Sequence, residues 1–215
     1  VWPAPYDNLS DNSPNLDWDP PPENSYPLVF QVQVSLDPFF ESGLVVDQLV
    51  LDDNFQCPEL SDNLYYWRVR ARDNAGIWGP YPEKGSFRID TVPPTVPSLV
   101  SPSDNALLGS LEVHLGWTDS SDVGSGVERY IVQVDNDPNF EPPLVYENDN
   151  VRETSHTVLL QNSGRYWWRA RAVDRAGNPS PDWSPSRSFY VYIWRDVEKW
   201  SGSGVTRFGW FISEG

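Results

Sequence analysis

The sequence predicts an all-β chain that folds into two β-sandwiches in tandem, followed by one extra strand near the C-terminus. Three observations lead to this fold class. Blocks of sequence recur at an offset of about 100 residues, each block alternates apolar and polar side chains, and runs rich in Gly, Pro, Asn and Asp separate the blocks. Alternation with a period of two is typical of strands that bury one face. Many short strands between such turns favour a sandwich.

The repeat runs through both halves of the chain. FQVQVSLDPFFE at 30–41 matches YIVQVDNDPNFE at 130–141 at seven of twelve positions, and YYWRVRARDNAG from Tyr65 matches YWWRARAVDRAG from Tyr166 at eight of twelve. Two shorter blocks match in the same order: LDW at 16–18 with LGW at 115–117, and SF at 86–87 with SF at 188–189. All four offsets lie between 99 and 102 residues, so two domains of similar length are predicted.

The repeat places the first domain at 1–92, the second at 93–194 and a C-terminal tail at 195–215. In the first arginine-rich block, one face of a predicted strand carries Tyr65, Trp67, Val69 and Ala71, and the other carries Arg68, Arg70 and Arg72. No segment has a sustained helical period, and 21 prolines with 14 glycines would interrupt one. Each domain is therefore expected to consist of strands alone.

Each half resembles a fibronectin type III domain, of the kind found in tandem on bacterial and archaeal surface proteins. The resemblance rests on an early tryptophan, an aromatic residue that leads an x-Val-x-Val strand, and a leucine ahead of a tyrosine: Trp18, Phe30, Leu60 and Tyr65 in the first half, and Trp117, Tyr130, Leu160 and Tyr166 in the second. The segment DTVPPTVP at 90–97 is similar to the linkers between such repeats. Over roughly residues 1–192, the resemblance implies immunoglobulin-like sandwiches in which each tyrosine hydroxyl closes back onto the preceding turn.

The arginines beside aromatic residues have two interpretations. Cytokine-receptor members of this fold interleave arginines and tryptophans on the outer face of a sheet, and the resemblance implies a similar structural ladder here. The expected ladder residues are Arg68, Arg70 and Trp78 in the first domain, and Arg169, Arg171 and Trp183 in the second. Trp78 and Tyr81 are expected on the neighbouring final strand. The alternative is a binding face for an anionic or glycan ligand.

The charge of the chain argues against several classes of function. With 31 Asp and Glu against 15 Lys and Arg, the net charge is −16, so we expect neither nucleic acid nor an anionic membrane surface as a partner. No run approaches the ~18 apolar residues of a membrane-spanning helix, so no membrane insertion is expected. The chain starts at Val1 and contains no methionine, so we expect a removed leader or a piece of a longer protein. With the resemblance, this predicts an extracellular or cell-surface location.

The sequence offers no convergent set of catalytic groups, and we expect a protein without enzymatic activity, catalytic residues or cofactor. His114 and His156 lie on predicted strands and outside the spacings of metal sites. Cys57 is the single cysteine and is expected as a small buried side chain.

Acidic residues in predicted loops leave one alternative open, which is calcium binding. The residues concerned are Asp73, Asp119, Asp122 and Asp174. Aspartate favours turns because its carboxylate bonds to nearby backbone, and turn formation is the first interpretation. Calcium, however, takes several oxygen ligands, and acidic loops can supply them.

The tail contains one stretch outside the repeat. VTRFGWFIS at 205–213 alternates so that Thr206, Phe208, Trp210 and Ile212 share one face. Because a lone strand is not stable in water, it must fold back on its own domain, begin a further domain, or pair with the sheet edge of a neighbouring molecule. In the third case these four residues bind the partner.

Two functions remain open from the sequence. The first is a structural or adhesive protein outside the cell, a filament, sheath or surface-layer subunit whose partner is another copy or a neighbouring surface protein. The second is an accessory region of a larger secreted enzyme or adhesin that binds protein or carbohydrate. For sugar stacking, the tryptophans left over from the predicted cores are Trp2, Trp78, Trp167 and Trp183.

Overall fold

The computed structural model describes residues 2–20 and 29–193. Every regular element in these residues is a β-strand, which confirms the predicted all-β class, and none of them forms a helix suited to crossing a bilayer. Contacts divide the chain into two compact units. Unit 1 comprises Val1–Pro94, Ser121–Val127 and Val173–Pro179, and unit 2 comprises Thr95–Ser120, Glu128–Ala172 and Ser180–Gly215. Unit 1 thus includes two short segments of the second repeat.

Unit 1 is a sandwich of a five-stranded and a two-stranded sheet. Its strands are β1 (Asp7–Leu9), β2 (Asn15–Asp17), β3 (Val29–Ser35), β4 (Leu44–Val50), β5 (Asn54–Gln56), β6 (Asn63–Arg72) and β7 (Gly85–Ile89). The larger sheet has the order β1-β7-β6-β3-β4, and β2 pairs with β5 in the smaller one. β1 runs parallel to β7, and the other pairs are antiparallel. Among the described residues β4 therefore forms an edge of the larger sheet.

Unit 2 has the same arrangement with one further strand in its smaller sheet. Its strands are β8 (Leu99–Ser101), β9 (Ala106–Leu108), β10 (Glu112–Trp117), β11 (Val127–Asp135), β12 (Tyr146–Val151), β13 (Ser155–Leu159), β14 (Gly164–Asp174) and β15 (Arg187–Val191), of which β11 begins and β14 ends in segments assigned to unit 1. The sheets have the orders β12-β11-β14-β15-β9 and β13-β10-β8. β9 runs parallel to β15, as β1 does to β7.

Matching aromatic pairs fill the two cores. Trp18 meets Phe30 edge to face with ring centroids 5.5 Å apart, and Trp117 meets Tyr130 in the same way at 5.5 Å. The alternation places Phe30 and Tyr130, with the buried valines of β3 and β11, on the inner faces of the larger sheets, while Trp18 follows β2 and Trp117 ends β10 of the smaller sheets. Full burial of such a side chain contributes about 1.5–3 kcal/mol, so this paired packing stabilises both sandwiches.

The tyrosine hydroxyls close onto the preceding turns. The Tyr65 hydroxyl donates to the carbonyl of Ser61 at 2.8 Å, and the Tyr166 hydroxyl donates to the carbonyl of Asn162 at 2.9 Å. Burial raises the pKa of both tyrosines, so both phenols stay protonated and able to donate. The contacts implied by the sequence resemblance are thus present in both repeats.

Tryptophans on the inner faces pack without polar partners. The Nε1 atoms of Trp18, Trp67, Trp117 and Trp168 are buried and have no hydrogen-bond partner among the described residues. The Trp67 indole lies where the side chain of residue 85 would be, because β6 pairs Trp67 with Gly85, and a Cβ at Gly85 would approach Nε1 to 2.2 Å. In the second repeat the register places Arg187 opposite Trp168.

Candidate binding surfaces

The outer face of the larger sheet in unit 1 carries an arginine–aromatic ladder. The guanidinium of Arg68 lies between the rings of Phe40 and Tyr81, with its carbon 4.0 and 3.9 Å from the two centroids. Arg68 Nε donates to Oε1 of Gln33 at 2.9 Å. Both faces and one edge of the guanidinium are therefore occupied within the unit.

The ladder continues along β6. The Arg70 guanidinium lies 4.7 Å from the centroids of both Trp78 and Tyr81, and its Nε and Nη2 donate to Oε1 of Gln31 at 2.8 and 2.6 Å. The guanidinium of Arg72 lies 5.1 Å from the Trp78 ring. The expectation that Trp78 and Tyr81 lie on the final strand was wrong: both precede β7, and Trp78 forms an isolated bridge with Arg72. The segment between β6 and β7 therefore folds back on β6, and its Trp78 and Tyr81 rings contact the arginines.

The second repeat builds an equivalent stack, in which Phe140 matches Phe40 and a tryptophan replaces the tyrosine. Arg169 lies between Phe140 and Trp183, at 4.1 and 4.4 Å from their centroids, and its Nε donates to Oε1 of Gln133 at 2.8 Å. Arg171 lies farther from the Trp183 ring, at 5.8 Å. Cation–π attraction contributes about 0.5–1 kcal/mol at exposed sites and more where water is excluded, so these stacks tie loops to the sheet.

A glutamine links each central arginine to a carboxylate. Gln33 Nε2 donates to Oδ2 of Asp47 at 3.1 Å, and Gln133 Nε2 donates to Oε2 of Glu147 at 2.9 Å. The amide oxygen of the same glutamine accepts from the arginine. Each glutamine therefore connects a cation on one neighbouring strand to an anion on the other. Burial lowers the pKa of Arg169, and the charge of Glu147 opposes that shift. The arrangement balances charge within the sheet.

In each repeat, one ring of the arginine stack is a phenylalanine that lies in a turn with a strained backbone. Phe40 and Phe140 have φ angles of 60° and 58°, in the left-handed region that residues with a Cβ rarely adopt. Each closes a turn of sequence Asp-Pro-x-Phe, in which its N–H donates to the carbonyl of Asp37 at 3.1 Å or of Asp137 at 3.2 Å. Strain of this kind persists where surrounding contacts compensate it, and the arginine stack is such a contact. Sequence reasoning missed both residues, although the shared motif was visible.

The edge strand β4 exposes apolar side chains. Leu44 and Val45 are 44% exposed and Leu49 is 57% exposed. Between β4 and β5 lies a groove of about 380 Å³, whose lining includes Val45 and the buried Cys57. Burial raises the pKa of the Cys57 thiol to about 12, so at neutral pH it is a protonated apolar lining group rather than a nucleophile. In the part of the chain that the structure describes, this side of unit 1 thus offers a backbone edge without a partner strand beside a cleft.

Three aspartates in unit 1 converge in an acidic cluster. Asp90 follows β7, Asp122 lies in the loop before β11, and Asp174 ends β14. One carboxylate oxygen from each lies within 4.8 Å of the others, and Asp90 and Asp174 are 1% and 0% exposed. Burial, followed by the charges of Asp90 and Asp122, raises the pKa of Asp174. Sequence reasoning missed Asp90, because it was assigned to a linker.

The other two acidic loop residues lie elsewhere. Asp73 Oδ1 accepts the backbone N–H of Ile77 at 2.8 Å, which is turn chemistry as predicted. Asp119 is exposed and is not among the three residues of the acidic cluster.

The two histidines lie on paired strands of unit 2 and contact hydroxyl groups. The His114 Nδ1 atom lies 3.3 Å from the Thr157 hydroxyl, and His156 Nε2 forms a hydrogen bond with the hydroxyl of Tyr146. The His156 ring also stacks on Tyr146 with centroids 5.7 Å apart, and burial lowers the pKa of His156. Both histidines thus take part in contacts between strands.

The four residues predicted to bind a partner lie outside the described residues. They are Thr206, Phe208, Trp210 and Ile212. Their role in binding stays a prediction.

Comparisons with known proteins agree with the architecture. No family model matches the chain. Among solved structures, the chain is similar to the FN1–FN3 domains of chicken CNTN1, with 20% identity and a TM-score of 0.58 over 87% of this chain and 68% of that chain. It is also similar to the fibronectin(III)-like modules of CbhA from Clostridium thermocellum, with 13% identity and a TM-score of 0.54 over 89% of this chain and 91% of that chain.

These likenesses, together with the strand orders and the tyrosine contacts of both repeats, confirm the fold expected from the sequence resemblance. The chain consists of tandem β-sandwiches with the fibronectin type III fold.

Proposed function

We propose that the chain is a non-catalytic structural or adhesive unit of the cell exterior, and that copies of it join by strand addition. Modules of this fold commonly serve adhesive or accessory roles. In the proposed contact, segment 205–213 of one copy pairs with β4 of the next. Such a contact joins two different surfaces, so it propagates head to tail and generates an open filament unless a ring closes.

The apolar edge of β4 is the observation that carries this proposal. An edge strand presents unpaired N–H and C=O groups, and proteins that avoid association place charges or proline there. On the solvent side of β4 the exposed positions include Val45 and Leu49, with Asp47 between them held by the two ladder glutamines. The groove beside the strand adds space for alternate side chains of an incoming strand.

The second repeat provides a contrasting edge. Its corresponding strand, β12, has the sequence YENDNV, in which Glu147, Asp149 and Asn150 are exposed. Polar and charged side chains of this kind discourage pairing with another strand. An acceptor edge is therefore expected on the first repeat and not on the second.

The C-terminal segment has the pattern and length that the β4 edge requires. It has nine residues, against the seven of β4, and at about 3.3 Å per residue both are of comparable length when extended. Phe208, Trp210 and Ile212 alternate on one face, so they would enter the groove while the backbone pairs with the edge.

Electron microscopy and light scattering on the full chain test the proposal. The full chain is expected to form oligomers or filaments, and a version ending at Trp194 is expected to stay monomeric. Trp210→Asp on the donor and Leu49→Lys on the acceptor should each abolish assembly while the unfolding temperature is retained. Asn150→Lys, on the polar edge, is the matched control and should assemble normally.

Two results would contradict the assembly proposal. Equal oligomerisation of the full and shortened chains would exclude the C-terminal segment as donor, and assembly of Leu49→Lys would exclude β4 as acceptor. If every version is monomeric, the accessory-region function takes precedence, and selective binding on a glycan array would support it.

A further inference from the structure

The acidic cluster concentrates negative charge away from water. Asp90 and Asp174 are almost completely buried, and Asp122 contributes a third carboxylate within 4.8 Å. Within 2–20 and 29–193 the one ion pair joins Arg129 to Glu128, so no side-chain cation pairs with the cluster there. Buried charges are ordinarily paired or coordinate a metal, because an isolated one loses its solvation. Three converging carboxylates therefore require a cation or bound protons.

A nearby arginine does not supply the missing charge. The Arg175 guanidinium donates through Nη1 to the carbonyl of Ser125 at 2.8 Å. The pKa of Asp174 is raised by burial and by its two acidic neighbours, and only hydrogen bonds from Asn178 oppose the shift. The charge balance at the cluster is thus incomplete in the folded chain.

One buried carboxylate oxygen of the cluster has no hydrogen-bond partner within residues 2–20 and 29–193. Asp122 Oδ1 is shielded from solvent and, among the described residues, accepts no hydrogen bond. The other oxygen of Asp122 accepts the N–H of Gly126 at 2.6 Å, which fixes the carboxylate. A buried acceptor without a donor is costly, so this atom indicates a ligand that supplies positive charge.

Backbone groups hold the remaining carboxylates in place. Asp90 Oδ2 accepts the N–H of Ser125 at 2.6 Å, and Asp174 Oδ1 accepts the N–H of Asn178 at 2.8 Å. Gly124 lies so close that a Cβ there would come within 2.3 Å of the Asp90 carboxylate. The loop thus leaves no room for a side chain over Asp90, while each carboxylate oxygen keeps a second lone pair.

From this geometry we propose that Asp90, Asp122 and Asp174 bind a calcium ion. All three offer hard oxygen ligands, which calcium and magnesium prefer, whereas zinc favours His and Cys. Two oxygens on opposite sides of a calcium ion, each at about 2.3–2.6 Å, lie about 4.6–5.2 Å apart, and the cluster fits within that span. Magnesium usually keeps several waters and binds through one or two carboxylates, so a set of three carboxylates favours calcium. Water completes the coordination.

Scanning calorimetry of the full chain tests the site, in EDTA, in about 10 mM CaCl₂ and in about 10 mM MgCl₂. Extracellular calcium modules bind with Kd of about 10⁻⁴–10⁻³ M. For a Kd of about 10⁻⁴ M, ~10 mM calcium is about 100-fold above Kd, and the folded state gains about 2.7 kcal/mol. For a domain of about 100 residues this raises the Tm by about 10–20 °C, with a smaller rise in magnesium.

Two variants make the test specific. Asp122→Asn keeps the shape of the side chain but removes a charge, so we expect a higher Tm than the wild type in EDTA and no rise with calcium. Asp119→Asn removes a charge from the same loop outside the cluster and should retain the full calcium response.

The opposite pattern would overturn the site. If calcium leaves the wild-type Tm unchanged and calorimetric titration detects no binding, the carboxylates share protons instead of a metal ion. An equal calcium response in Asp122→Asn and the wild type would place the bound ion elsewhere.

Discussion

Replacement of Arg68 by methionine distinguishes the two interpretations of the arginines, a structural ladder and a ligand-binding face. The change keeps an unbranched apolar side chain but removes the guanidinium between Phe40 and Tyr81 and its bond to Gln33. The two ring contacts contribute about 0.5–1 kcal/mol each. The charged hydrogen bond contributes about 1.5–3 kcal/mol. Since the methionine restores part of the packing, we expect a loss of about 2–4 kcal/mol, which lowers the Tm of unit 1 by roughly 10 °C or more.

Urea denaturation followed by circular dichroism measures this loss, and two further variants serve for comparison. Arg169→Met removes the corresponding stack of the second repeat and should cost a similar amount. Arg152→Met changes an exposed arginine and should stay within about 0.5 kcal/mol of the wild type. A double-mutant cycle with Phe40→Ala isolates the ring contact, and a coupling energy above about 0.5 kcal/mol is expected.

Unfolding of Arg68→Met at the same urea concentration as the wild type would refute a stabilising role of the ladder. If the variant keeps its stability and also loses binding to an anionic or glycan ligand, the arginines form a binding surface and not a structural ladder.

Two further predictions concern individual residues. Gly85→Ala forces a Cβ against the Trp67 indole and should destabilise unit 1 by about 1–3 kcal/mol in urea denaturation. Gly79→Ala, where the nearest contact of the added Cβ is at 3.5 Å, should cost less. Equal stability of the two variants would contradict this prediction. Burial lowers the pKa of His156, so below about pH 6.5 the unfolded chain binds a proton that the folded chain does not, and stability falls as the pH falls. His156→Gln should weaken this fall between pH 7.5 and the lowered pKa; an unchanged pH profile would exclude His156 as its source.

The fold followed from the sequence because its signals are local. Alternation in the blocks at 30–41 and 65–72 assigns the inner face of β3 and β6, and the offset of about 100 residues transfers the assignment to the second repeat. The buried positions of Val32 and Trp67 agree with that alternation. A period of two needs no knowledge of distant contacts, so the pattern alone was sufficient to assign the buried face of each strand.

The candidate sites depend on contacts that no local pattern contains. Phe40 covers Arg68 through a turn with positive φ, which is unusual for phenylalanine, and the Asp-Pro-x-Phe motif does not show which side chain the ring will cover. Asp90, Asp122 and Asp174 come from three separate segments, so their convergence has no spacing signature. The sequence supplied two of these aspartates as candidates, and the third required the folded chain.

The unpartnered tryptophans of the two cores give the molecule an internal optical probe. Trp67 in the first repeat and Trp168 in the second are buried, and their indole Nε1 atoms meet no hydrogen-bond partner among the described residues. Indoles held in so apolar an environment emit at shorter wavelength than indoles in water, and they shift when the surrounding sandwich opens. Trp18 and Trp117 are buried in the same way, so replacement of both buried tryptophans of one repeat by phenylalanine would leave the buried indoles of the other repeat as the dominant signal from a core. The unfolding of each repeat could then be followed separately in the intact chain.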